Sequence, residues 1–288
     1  MARPTELLII DAQNDFCDLP EAWCPADPLS GARLAPALPV PGAHADLLRL
    51  AGFIAAAGER IDGITVTLDS HHRYDIAHPG YWLTAEGRPV APFTTITAAQ
   101  VRAGSFRPVL AAEHDRTLRY LDALEAAGRY TLMCWPVHCQ LGSWGHGLHA
   151  GVLAACNAWE DAQHKPVRVV DKGSFPWSEH YSALMAEVPD PADPATALNR
   201  PLLERLDRAG TLLIAGEASS HCVKATVEHL IEHLPSGRVG RLWLLTDCMS
   251  PVAGFEPQAA AFLDAMRASG VQTLTHDEAA ARLRQEIA

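Results

Sequence analysis

The sequence has no CxxC pair, no GxGxxG after an apolar run and no GxxxxGK[ST]. A thioredoxin-type redox motif, a dinucleotide fold and a P-loop are therefore not expected. No run of about 18 apolar residues exists, so no membrane-spanning helix is expected. Basic residues are in the minority, the net charge is −11, and no Lys/Arg cluster interleaved with aromatics occurs. That balance argues against nucleic acid or an anionic membrane as partner. The seven cysteines are odd in number and scattered, which is not a disulfide framework. With MARPTELLIID leading straight into an apolar strand, without the longer apolar run of a signal peptide, the expected setting is a reducing cytoplasm.

What is present is an alternation of apolar runs and helical patterns. Strands are expected at Glu6–Asp11, Gly63–Asp69, Val167–Asp171, Thr211–Gly216, Arg241–Asp247 and Val271–Thr275, with Thr131–Trp135 extended. Helical spacing covers 45–57, 118–127, 148–159, 202–208 and 259–269. Strands alternating with helices predict an α/β protein, a mainly parallel, doubly wound sheet covered on both faces. The expected organisation is a single domain over 1–288 with a long insertion at about 79–130. The stretch from Ser70 to Phe106 reads as too polar and broken for a core element. Ligands of such sheets bind beyond the carboxyl ends of the strands, at the switch in strand order. The residues at those ends are therefore the informative ones.

The chain is organised around AGEASSHCVKATVEHLIEHL, from Ala215 to Leu234. A buried strand ends at Gly216, a turn of small residues follows, and Cys222 opens a helix. A cysteine there lies near the positive end of the helix dipole, beside free N–H groups, a setting that favours the thiolate. Asp11 and Lys172 fall at strand ends on the same edge. An acid, an amine and a thiol in one cleft form a nucleophilic set: Asp11 takes the thiol proton and Lys172 holds the carboxylate. A second group contains Asp69 and His71, two apart on extended chain, then His78, and His138 within CWPVHCQ. A carboxylate with imidazoles suits zinc, iron or manganese better than magnesium or calcium. With fourteen histidines in the chain, D-x-H alone is a weak signal.

Taken in order, IIDAQNDF, TLDSHHRYDIAH, CWPVHC, VDKGSF and GEASSHCV resemble the nicotinamidase branch of the isochorismatase-like cysteine hydrolases. The resemblance implies a three-layer α/β/α sandwich and a catalytic triad of Asp11, Lys172 and Cys222. It implies metal ligands at Asp69, His71 and His138, with His78 as a more variable additional ligand. Zinc is the first choice of ion, iron or manganese the alternatives, and no organic cofactor is expected. It also implies a non-proline cis peptide between Glu217 and Ala218, aiming the Ala218 and Cys222 N–H groups at an oxyanion. Phe16, Trp82 and Trp135 are the candidates to hold an aromatic substrate ring. The expected activity is hydrolysis of a small-molecule amide, nicotinamide foremost, through a thioester, by a homo-oligomer. The alternatives are another carbamoyl or cyclic amide, or a non-catalytic metal-binding scaffold. The chain departs from that family at Glu217, usually aliphatic, at Ser220, often acidic, and in the length of the segment between His78 and His138.

Overall fold

A computed structural model of the chain describes residues 3–285. In chain order the larger elements begin with strand β1 (Thr5–Ile10), helix α1 (Ala43–Ala57) and β2 (Gly63–Asp69). The segment expected as an insertion contributes β3 (Trp82–Thr84), β4 (Thr94–Ile96), α2 (Ala98–Arg102), β5 (Phe106–Pro108) and α3 (His114–Ala127), followed by β6 (Leu132–Cys134). Then come α4 (Ala150–Gln163), β7 (Arg168–Lys172), α5 (Arg200–Arg208), β8 (Thr211–Gly216) and α6 (Cys222–His233). The chain closes with β9 (Leu242–Leu245), α7 (Glu256–Ala268), β10 (Gln272–Leu274) and α8 (His276–Gln285).

Six strands form one parallel sheet in the order β10-β9-β8-β1-β2-β7. Alternation along β1 sends Leu7 and Ile9 to one face and Leu8 and Ile10 to the other, all fully buried. The first pair packs with Leu47, Leu50 and Phe53 of α1, Val152 of α4 and Leu283 of α8. The second packs with Leu206 of α5, Val227 of α6 and Phe262 of α7. This is the α/β/α sandwich expected. Each such buried aliphatic side chain contributes roughly 1.5–3 kcal/mol, which explains why a strand with no polar alternation stays in the middle of the sheet. Among the described residues no helix is long and apolar enough to cross a membrane.

The chain runs from β1 outward through β2 to β7, then returns to the other side of β1 as β8 and continues to β10. The reversal between β1 and β8 opens the crevice, so Asp11 and the β8–α6 turn face each other across it. Gly216 permits that approach: a Cβ there would lie 1.9 Å from the Ile10 carbonyl oxygen, and its φ is +116°.

The segment read as too broken for a core has one. Tyr81, Trp82, Val90, Ile96, Val101, Tyr120 and Leu121 form a separate apolar cluster. Its short strands pair antiparallel, β3 with β5 and β4 with β6. Leu132–Cys134, extended as expected, is thus paired to the insertion and not to the main sheet.

Candidate active site

The sequence ends β1 one residue before Asp11 and β8 six before Cys222, and it places Lys172 as the last residue of β7. Asp11 itself takes a left-handed conformation, φ +46°. The N–H of Asp11 donates to the Thr67 carbonyl at 3.2 Å and to its Oγ1 at 3.1 Å, and that hydroxyl donates back to Asp11 Oδ1 at 2.6 Å. Thr67 on β2 therefore aims the carboxylate. Lys172 Nζ lies 2.9 Å from Asp11 Oδ2, 2.9 Å from Asp69 Oδ1 and 3.7 Å from Cys222 Sγ, and donates to the His180 carbonyl at 3.0 Å. All three members of the proposed triad are buried.

Burial, followed by the Asp69 charge, raises the Asp11 carboxyl against the pull of Lys172 and Thr67. Burial also pulls on Lys172, but the Asp11 and Asp69 carboxylates outweigh it and hold the ammonium well above its ordinary range. Cys222 is pushed well above the ordinary thiol value, by burial first; Lys172 opposes this, and Asp11 and Asp69 add to it. Desolvation thus works against the helix dipole at Cys222 and favours the thiol, while Lys172 pulls towards the thiolate. The Glu217–Ala218 peptide is cis. Among the described residues, neither the Ala218 nor the Cys222 N–H has a protein acceptor.

Beside this set stand Asp69, His71, His78 and His138, all buried. His71 Nε2 is 3.0 Å and His138 Nε2 3.4 Å from Asp69 Oδ2. Donor atoms set about 2.0–2.1 Å from a tetrahedral ion would stand about 3.3–3.4 Å apart, close to these spacings. Each imidazole offers Nδ1 to an oxygen: His71 to Asp75 at 3.0 Å, His78 to the His72 carbonyl at 3.1 Å, His138 to the Pro136 carbonyl at 2.8 Å. Those bonds leave the Nε2 lone pairs for a cation. The three rings bring ligand atoms within 4.8 Å of one another. Burial, then the neighbouring His138 and His71, lowers His78 to about 2, which keeps it neutral as a ligand must be. His78 is the least directly aimed, its Nε2 standing 3.2 Å from His138 Nδ1. The donor set suits a divalent transition ion.

Phe16, Trp135, Tyr181 and His221 wall a narrow pocket that reaches Cys222, Asp69 and His138. Its free volume is about 20 Å³, room for about one water, so an aromatic ring enters only as side chains move. Trp82 is not part of it. The Trp82 ring is fully buried in the insertion's core, its Nε1–H donating to the Ile76 carbonyl at 2.7 Å, so its expected role as a pocket wall is corrected. Residues that the sequence reading missed include Asp75, Thr67 and Gln13. The Gln13 side chain brackets Asp69 by donating to its carbonyl at 2.8 Å and accepting its N–H at 2.8 Å. TLDSHHRYD does place a second carboxylate four residues after His71, a signal that was available. The buried Glu179, raised to about 7 by burial, also reaches the pocket.

A parallel sheet in this order, with a cysteine opening the helix at the switch point, has the isochorismatase-like hydrolase fold. Among solved structures, the yeast nicotinamidase bound to the inhibitor nicotinaldehyde superposes with a TM-score of 0.59 at 21% identity, covering 94% of this chain and 99% of that one. The nicotinamidase/pyrazinamidase of Acinetobacter baumanii gives 0.59 at 18% identity, over 96% and 98% of the two chains. The zinc complex of the Pyrococcus horikoshii pyrazinamidase gives 0.51 at 17%, over 94% and 98%. At these identities the likeness establishes the fold. No protein-family model and no curated protein matches the sequence.

Proposed function

We propose that the protein is a metal-dependent cysteine amidohydrolase that converts nicotinamide to nicotinate and ammonia. The observation that carries this reading is the position of Lys172, whose ammonium touches Asp11, Asp69 and the Cys222 sulfur at once. Asp11 removes the thiol proton as Sγ adds to the carboxamide carbon, and the oxyanion is received by the Ala218 and Cys222 N–H groups. The C–N bond breaks as Asp11 returns that proton to the leaving nitrogen, giving ammonia and a thioester. Water then adds to the thioester carbon, Asp11 accepting its proton, and the thiol is released as the carboxylate product forms. A divalent ion held by Asp69, His71 and His138, with His78 in support, would supply a Lewis acid for a ring nitrogen or water. Phe16 and Trp135 would flank the ring.

Structural likeness to solved nicotinamidases supports the substrate class. A larger or cyclic amide is the second reading, favoured by a cavity of about 390 Å³ that shares Tyr181 and His221 with the narrow pocket. The test is ammonia release by metal-loaded protein from nicotinamide and a panel of carbamoyl and cyclic amides. Turnover of nicotinamide above the rest supports the proposal, and a metal-loaded protein silent on every amide sinks it.

A further inference from the structure

Glu217 has no part in the chemistry described above, yet it is fully buried and directly precedes Ala218, whose N–H faces the oxyanion. Its Oε2 accepts the Ser250 N–H at 3.0 Å, while Oε1 has no donor partner. Asp46, on α1 and itself buried, meets the same serine. Asp46 accepts from Ser250 Oγ at 2.6 Å and from Arg49. The Ser250 carbonyl in turn takes the Ser219 N–H at 2.9 Å. Two buried carboxyl groups gathered on one serine away from water repel unless one proton lies between them. Arg49 pairs with Asp46, not with Glu217.

We propose that Glu217 is a positioning residue held as a neutral carboxylic acid, donating its proton to the Asp46 carboxylate. That bond, with Ser250, ties the turn carrying the Ala218 and Cys222 N–H groups to α1 and to the loop after β9. The remaining groups facing Glu217 leave the proton in place. Asp18 is occupied with the Gly42 and His44 N–H groups at the start of α1, each at 2.8 Å. Cys17 and Cys248 are buried thiols raised above the ordinary range, by burial first. Burial, then Asp46, raises Glu217 well above the ordinary carboxyl value, in the same sense. The kinetic consequence rests on the amidohydrolase reading; the shared proton does not.

Two measurements separate these. In infrared spectra of the protein with carbon-13 carboxyl-labelled glutamate, recorded as pH is raised from about 5 to 10, a protonated carboxyl band is expected to outlast those of Glu179 and Glu187, both raised to about 7, and Glu217→Gln removes it. No such band, or a band that persists in Glu217→Gln, overturns the proposal whether or not the protein hydrolyses amides. In turnover, Glu217→Leu removes the proton that Glu217 donates to Asp46 and leaves the Ser250 N–H without an acceptor, so kcat falls about 10- to 100-fold with KM within about twofold. Gln supplies both bonds, so Glu217→Gln recovers most of kcat and lacks the alkaline decline that ionising Glu217 imposes on the parent. Equal losses in the Gln and Leu variants, or no loss in either, overturn the positioning role. If the parent turns over no amide, the infrared result still stands and the functional reading alone fails.

Discussion

The Lys172 ammonium lies 2.9 Å from Asp69 Oδ1, so one buried cation joins the nucleophile's group to the imidazole cluster. It has carboxylates on two sides and the Cys222 sulfur on a third. The charge on each group thus depends on the others, and the cation that holds Asp11 also braces Asp69, the carboxylate beside the imidazoles.

Replacing Lys172 with Met removes that cation and leaves Asp11 and Asp69 facing each other without compensation. Breaking a buried ion pair from one side costs about 3–5 kcal/mol. Lys172→Met is expected to unfold at a distinctly lower temperature, and to lose turnover by roughly 10²-fold or more. Unchanged thermal stability would show that the buried charges relax in some other way.

Cys222→Ala is expected to abolish turnover, by roughly 10⁴-fold or more, with fold and bound metal retained. The thiol alone can form the thioester, while its packing volume is small. Iodoacetamide should modify Cys222 before the other six cysteines. Those with a resolved shift are likewise raised by burial, but only Cys222 has Asp11 at hand to take its proton and a pocket leading to it. Uniform labelling, or measurable turnover in the Ala variant, removes Cys222 as the nucleophile.

The bond from His71 Nδ1 to Asp75 gives a sharper test of the metal site. In Asp75→Asn the Oδ1 contact to the Ala77 N–H can remain, but an amide N–H would then face Nδ1. The ring is pushed to the tautomer that protonates Nε2, the atom needed for the ion. Metal affinity should fall about 10- to 100-fold, read by chelator competition. Full occupancy at the parent's affinity would show that Asp75 does not set the tautomer.

How much of this was open to the sequence depends on whether local pattern or tertiary contact decides each position. Thr211–Gly216 has its expected bounds and the following helix its expected start at Cys222, because an unbroken apolar run and a 3-and-4 spacing are local signals. Asp11, Asp69, Lys172 and His138 come together as strand-end logic and the motif resemblance implied. Trp82 could not be placed that way: an aromatic in a polar, broken segment looks the same whether it walls a pocket or fills a satellite core. Thr94–Ile96 was not read as a strand at all, since three residues gain β structure only through their non-local partner, Leu132–Cys134. Helix α8 was also missed. Asp247 accepts the His276 N–H at 2.9 Å where it begins, a cap from 29 residues away.

Burial, against the opposing Arg129 and Lys224 charges, raises Glu187 from 4.5 to about 7. A carboxyl raised on folding contributes stability that is complete below the unfolded value, near 4.5, and is lost as pH rises through about 7. The parent should therefore lose on the order of 2–3 kcal/mol from this group between those limits. Glu187→Gln should flatten that part of the stability profile, measured by urea unfolding from pH 4.5 to 8. Parallel profiles for parent and variant would show that Glu187 titrates normally.

Thr95, Tyr130 and Met133, from the insertion or its β6 partner strand, wall the cavity of about 390 Å³ that meets the nucleophile's pocket at Tyr181 and His221. Phe93, more than half exposed, sets its ring edge-on to Trp135 with centroids 6.0 Å apart, so the insertion also leans on the pocket wall itself. Deleting the segment would strip the core around Trp82 and Tyr120, so point changes are the better probe. Met133→Ala and Thr95→Ala enlarge this cavity, and Thr95→Phe narrows it, with the triad untouched. If extended amides occupy the cavity during turnover, the first two changes raise and the third lowers kcat/KM for larger amides relative to nicotinamide. A shift of about 3- to 30-fold is expected, corresponding to about 1–2 kcal/mol of differential transition-state binding. An unchanged ranking of amides in all three folded, metal-loaded variants would place this cavity outside the path of the substrate.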